Sequence, residues 1–153
     1  MTSLADQDLD QLGGPLSILT RQKRDHERLD RLLKRLAHSS PGAEEEAALH
    51  AIARLVFPHA FAEESVLWPE ARRVLPDGEA LTLQVEQEHQ EVNELWASLE
   101  RLPSGSPDRS TAIVRLTEVL QLLEEPVQLH VVALLADQHA PGAAQLGLGL
   151  VRE

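Results

Sequence analysis

Five breaks rich in Gly, Pro and Ser divide this chain into four long stretches, and none of the four alternates apolar and polar residues as a strand does. The breaks are Gly13-Gly14-Pro15, Ser39-Ser40-Pro41-Gly42, Pro76-Asp77-Gly78, Pro103 to Pro107, and Pro141-Gly142. Residues of this kind supply turn geometry and stop helices. Between them Leu, Ala, Glu, Gln and Arg dominate, all strong helix formers. The pattern predicts an all-α chain built as an up-down-up-down four-helix bundle. Its expected divisions are an arm over residues 1–14, the bundle over 15–140 and a tail over 141–153. At 153 residues the chain suits one domain with a core of useful size.

Helical periodicity sorts each segment into faces. The first helix is expected over 15–37, with Leu19, His26, Leu29, Leu33 and Leu36 on its apolar stripe. The second, over 43–75, carries Ile52, Leu55, His59, Glu63 and Val66, and Pro58 within it predicts a kink. The third, over 79–102, carries Val85, His89, Val92, Trp96 and Leu99, with Asn93 one turn beyond the histidine. The fourth, over 110–139, carries Leu116, Leu120, Leu123, Val127, His130 and Leu134, and Pro126 is expected to kink or restart it.

Each stripe therefore holds one histidine near mid-helix, and in a bundle with short loops those midpoints share one layer. One histidine on an apolar stripe is ordinarily a satisfied core residue. Four at matching depth, joined by Glu63 one turn after His59, are another matter, because unpartnered buried imidazoles cost on the order of a few kcal/mol each. A metal ion supplies the missing partner, and imidazole with carboxylate suits iron, zinc or manganese. His50 falls on the opposite face from His59, His38 ends the first helix where positive charge suits the dipole, and His139 borders the last break. These three read as structural or solvated.

Composition narrows the chemistry. There is no cysteine, which excludes disulfides, thiolate catalysis and Cys-based zinc or iron–sulfur sites. Lys and Arg total 14 against 25 Asp and Glu, a formal charge of −11 that disfavours nucleic acid. The opening MTSLADQDLDQLGG is acidic and has no apolar stretch of the signal-peptide kind, and no run has membrane-spanning length. The expectation is a cytoplasmic protein with neither a membrane nor a nucleic-acid partner. The lack of tyrosine disfavours a tyrosyl-radical enzyme.

The segments RDHERLDRLLKRL, FPHAFAEESVLWPEARRVLPDG and VEQEHQEVNELWASLERL resemble a haemerythrin-like, or HHE cation-binding, domain. The likeness is close over about residues 15–103 and slight in the fourth helix. It implies a non-haem di-iron centre inside a four-helix bundle. By position, His26, His59 and the bridging carboxylate Glu63 match the family pattern, His89 matches the first histidine of the third helix, and His130 matches the ligand of the fourth. Two positions depart from it. Asn93 stands where many members have a second histidine. Leu134 and Leu135 stand where the fourth helix carries a second bridging carboxylate, and Asp137 lies about 10 Å along the axis from His130. Glu86 and Asn93 are the nearest substitutes.

The resemblance implies iron that binds or senses oxygen, peroxide or nitric oxide, with one metal or two according to how the absent carboxylate is replaced. Sensing or peroxide removal is favoured over oxygen storage, because storage in the family uses a paired centre. Trp96 and the leucines around it are expected to keep bulk water out. The rival classes fare worse. Ferritin-like carboxylate sites need two Glu-x-x-His motifs, and only Glu86 to His89 is present. A zinc peptidase needs His-Glu-x-x-His, and His26-Glu27 is followed by Asp30. The remaining alternative is a metal-free bundle acting as an interaction module, its leucine-rich fourth helix and tail facing a partner or a second copy.

Overall fold

The computed structural model describes residues 8–10 and 12–123, all of whose regular structure is helical. The architecture is an all-α four-helix bundle. Helix α1 spans Ile18–Ala37, α2 spans Ala43–Ala62, a π-helical turn spans Glu63–Leu67, α3 spans Trp68–Val74, α4 spans Gly78–Leu99 and α5 spans Pro107–Leu123. Helix α2, the π turn and α3 run on from one another and form the second long rod of the bundle. The fourth-helix positions beyond Leu123, including Pro126, His130, Leu134, Leu135 and Asp137, and the tail with His139, lie outside the described residues.

Caps explain where the rods begin. The first helix starts at Ile18 rather than Pro15, because the Ser17 hydroxyl accepts the Thr20 backbone N–H at 3.1 Å as an N-cap. Ser17 also donates to the Leu12 carbonyl, and the Leu12 side chain, expected in a loose arm, is fully buried in the core. Gly42 precedes α2 with φ of +111°, a backbone that side chains rarely adopt, and Glu44, Glu45 and Glu46 place negative charge on the positive end of the helix dipole. Helix α5 opens on Pro107, whose missing N–H is one that a first helical turn leaves unbonded in any case.

Helix α2 stays α-helical through Pro58, and the departure from α geometry comes at Glu63–Leu67. A π turn fits one extra residue into the rod. That residue corrects the predicted stripe: Val66 is 54% exposed, and Leu67, Trp68 and Ala71 are buried in its place. Beyond the turn, Gly78 brings the start of α4 hard against α3. A Cβ there would lie 2.3 Å from the Ala71 carbonyl oxygen, so only glycine permits this approach.

The core is drawn from every rod. Leu29, Leu33 and Leu36 of α1 face Leu49, Ile52 and Leu55 of α2, and Val85, Val92 and Leu99 of α4 join Leu116, Val119 and Leu120 of α5. Burying each such side chain is worth about 1.5–3 kcal/mol, ample reason for the stripes to converge. Arg109 locks one end of the bundle. It is buried, donates to the carbonyls of Leu99 and Leu102, and pairs with Glu45 and Glu46 across to α2.

Candidate metal centre

Within this core three polar side chains meet. One ligand atom from each of His26, His59 and Glu63 lies within 4.8 Å of the others. His26 comes from α1, His59 from the last turn of α2 and Glu63 from the first residue of the π turn. The two imidazoles pack edge to face, with centroids 4.8 Å apart and planes at 84°. Glu63 is fully buried. Its Oε1 lies 3.2 Å from Nε2 of His59, and its Oε2 lies 3.3 Å from Nε2 of His89 on α4. One carboxylate therefore stands between two imidazoles and presents a separate oxygen to each.

Both of those imidazoles are held from behind by a second carboxylate. His59 Nδ1 donates to Asp25 Oδ2 at 3.3 Å, and His89 Nδ1 donates to Glu64 Oε1 at 2.7 Å. The consecutive residues Glu63 and Glu64 thus bracket the same His89 ring. A carboxylate can only accept, so each Nδ1 carries its proton and each Nε2 is turned toward Glu63.

Electrostatics divides the three histidines. Burial and then the charge on His59 push the His26 imidazole down to about 4, against weaker attraction from Glu63 and Asp25. Burial alone would lower His59 as well, but the hydrogen bonds and charges of Asp25 and Glu63 prevail and raise it to about 9. His89 is likewise raised, burial being outweighed by Glu63 and Glu64. Burial works to raise the Glu63 carboxyl, and the two imidazoles overcome it and hold it below the ordinary range. At neutral pH the cluster thus joins a neutral His26 to an ionised Glu63 and an imidazolium at His59, with His89 shifted toward its charged form.

The donor set fits a metal ion on three counts. His26 is neutral, as a ligand must be, and its Nδ1 is buried without a hydrogen-bond partner among the described residues. Glu63 faces Nε2 of both His59 and His89, positions where a cation would satisfy the same charge. Two nitrogens and one oxygen suit iron, zinc or manganese.

The other predicted residues have different surroundings. Glu86 is engaged by Arg72 at 2.5 Å, and Arg72 also bonds Thr82 at 2.7 Å. Asn93 is exposed and lines a surface groove beside Glu64 and His89. His50 is exposed, as its face predicts, and His38 caps α1 by hydrogen bonding the Lys34 carbonyl at 2.7 Å. Trp96 packs edge to face on Phe57 at 5.7 Å.

Comparison with protein-family models identifies the architecture. The model for the haemerythrin HHE cation-binding domain matches residues 17–132, most of the chain. The chain belongs to the haemerythrin family. Neither the curated proteins nor the solved structures include a match. The family match extends two residues past His130, so that histidine falls inside the matched domain. The shared signature is a helical bundle with a His, His and Glu cluster able to coordinate metal.

Asp25 and Glu64 are the site residues that sequence reasoning passed over. Asp25 sits among Arg24, His26 and Glu27, where a charged run reads as a solvated face. Glu64 follows Glu63 and on α-helical geometry points about 100° away from it. Its partner His89 lies 25 residues away on α4, so the contact appears only once the helices are packed.

Proposed function

We propose that this haemerythrin-family chain holds non-haem iron in the bundle core and binds or senses oxygen, peroxide or nitric oxide there. The proposed ligands are His26, His59, Glu63 and His89, with His130 from outside the described residues. The observation that carries this reading is the Glu63 carboxylate, buried between His59 and His89 with one oxygen toward each. That disposition suits a bridge between two ions, one beside His26 and His59 and the other beside His89. Bound iron would supply an open coordination position and a change of oxidation state.

The chain's own residues prepare the position. Asp25 and Glu64 fix the rings and keep Nδ1 protonated, which leaves Nε2 as the ligating atom of His59 and His89. A bound metal would take the place of the proton at His59 Nε2, and Glu63 would supply negative charge to it. Leu29, Leu55 and Val56 surround the histidines with hydrocarbon and restrict water. Zinc and manganese fit the same donors, but zinc is redox-inert, so of the three only iron and manganese can change oxidation state at such a site.

The deciding experiment is metal content per chain, taken with an absorption spectrum in the near ultraviolet and visible. Two irons with oxo-bridge absorption would support the paired centre, and one iron would support a mononuclear sensor. A bundle that takes up no iron after anaerobic loading with the ferrous ion would overturn the proposal.

A further inference from the structure

The inward seam of α1 follows an alternating three-and-four spacing through Leu19, Gln22, His26, Leu29, Leu33 and Leu36. The four leucines are buried hydrocarbon, and His26 belongs to the metal cluster. Gln22 fits neither description. It is 1% exposed, and its Oε1 has no hydrogen-bond partner among the described residues. An amide carbonyl buried unpaired forfeits the hydrogen bonds it made in water, and native cores hold few such groups without a water or an ion to serve them.

The register of α1 on α2 places this residue. Asp25 and His26 meet His59. One turn forward on α1 and one turn back on α2, Leu29 and Leu55 line the same small cavity as those histidines, so the two helices run antiparallel. The opposite step, one turn back from His26 and one turn forward from His59, pairs Gln22 with Glu63. Gln22 therefore comes level with the carboxylate whose Oε2 faces His89. We propose that Gln22 is a further ligand of the centre, its side-chain carbonyl serving the ion held by Glu63 and His89. The proposal rests on the metal-binding function proposed above and enlarges its ligand set. That side of the centre is the one short of donors. His26 and His59 both attend the Oε1 side of Glu63, and Asn93, one turn beyond His89, is exposed. Charge is already matched there, with Glu63 and Glu64 set against His59 and His89. An amide carbonyl has lone pairs and no proton to lose, so it adds an oxygen donor without altering that balance.

The test compares the full parent chain with Gln22→Leu, which removes the carbonyl at similar volume, and Gln22→Glu, which keeps an oxygen. Ferrous iron is titrated anaerobically against a chelator, and urea midpoints are measured without metal. Gln22→Leu should bind iron about tenfold more weakly or worse, the least that loss of a group supporting a metal costs. Its metal-free form should unfold at higher urea than the parent, because hydrocarbon has replaced an unpaired buried carbonyl. A glutamine that only packs would give the reverse, a lower midpoint with affinity unchanged. Gln22→Glu should bind iron as tightly as the parent or more so. Equal affinity in the parent and Gln22→Leu would overturn the assignment, and so would a loss that Gln22→Glu does not recover. Trp68 Nε1 is also buried without a partner among the described residues. A shifted Trp68 Nε1–H resonance in metal-free Gln22→Leu, with iron affinity unchanged, would give the carbonyl to a water shared with that indole and overturn its role as a ligand. If Gln22→Leu does not fold, Gln22→Met decides by the same comparison. A parent chain that takes up no iron would remove the metal-binding proposal itself, whereas a parent that loads no better than Gln22→Leu removes Gln22 alone.

Discussion

His59 is the residue on which most of the site's electrostatics turns, since its ring faces Asp25 through one nitrogen and Glu63 through the other. Replacing Asp25 by Asn removes the group that holds the ring and its Nδ1 proton. Loss of such an outer partner lowers metal affinity by roughly 10–100-fold. Asp25→Asn should therefore bind iron measurably more weakly in competition with a chelator. Glu63→Ala should lose most of its iron while its far-ultraviolet dichroism remains helical. His50→Ala, an exposed position, should retain full iron content. Equal iron in the Glu63→Ala and parent proteins would remove Glu63 from the centre.

The same residues set the pH dependence, and their signs oppose. His59 is raised from 6.5 to about 9 in the fold, so its contribution is complete below 6.5 and lost as pH rises through 9. His26 is lowered from 6.5 to about 4, so its contribution is complete above 6.5 and lost as pH falls through 4. Each shift corresponds to about 3 kcal/mol in order of magnitude. Urea midpoints of the metal-free protein should therefore be highest near neutrality and fall toward both pH 4 and pH 9. Metal must displace the His59 proton, so its apparent affinity should climb between pH 7 and 9 by about tenfold per unit for that proton. A flat affinity over that range would show His59 already neutral.

At the scale of elements, the π turn does what no single side chain could. Its first two residues, Glu63 and Glu64, both reach His89, and after the extra residue Leu67 and Trp68 return to the core. Deleting exposed Ser65 would leave the rod one residue short, and either the carboxylates or Trp68 would lose position. The expected result is loss of iron together with more than about 2 kcal/mol of stability, from mispacking a side chain as large as tryptophan. Iron analysis, urea unfolding and the Trp emission maximum check it. A variant with normal iron and unshifted emission would mean the turn is incidental.

That turn also marks where sequence reading stopped. Helical periodicity placed His26, His59, Glu63 and His89 on inward stripes because Leu29, Leu55, Val66, Val85 and Val92 stand three or four residues from them, a pattern that α geometry converts directly into faces. It failed at Val66. A single inserted residue shifts the phase of everything after it, and a π turn has no composition of its own. Asp25 was hidden differently. Its partner His59 is 34 residues away, so only the packing of α1 on α2 discloses the contact.

At the scale of the molecule, the centre is a junction between rods that otherwise meet through hydrocarbon. His26 belongs to α1, His59 to α2, Glu63 to the π turn and His89 to α4. An ion bound by these groups would tie three of the four rods together at mid-height, and an unfolded chain offers no comparable set of donors. Ligand binding to the native state alone stabilises by about 4 kcal/mol when free metal exceeds its dissociation constant a thousandfold. For a domain near this size that corresponds to a rise in Tm of about 8–16 °C, at about 2–4 °C per kcal/mol. Ferrous loading under anaerobic conditions should produce such a rise in calorimetry, and a chelator should reverse it. Glu63→Ala should unfold at one temperature with or without metal, because its remaining imidazoles lack the charge that holds the ion. Equal stabilisation of the parent and Glu63→Ala proteins would instead locate the metal at the acidic surface and away from the core.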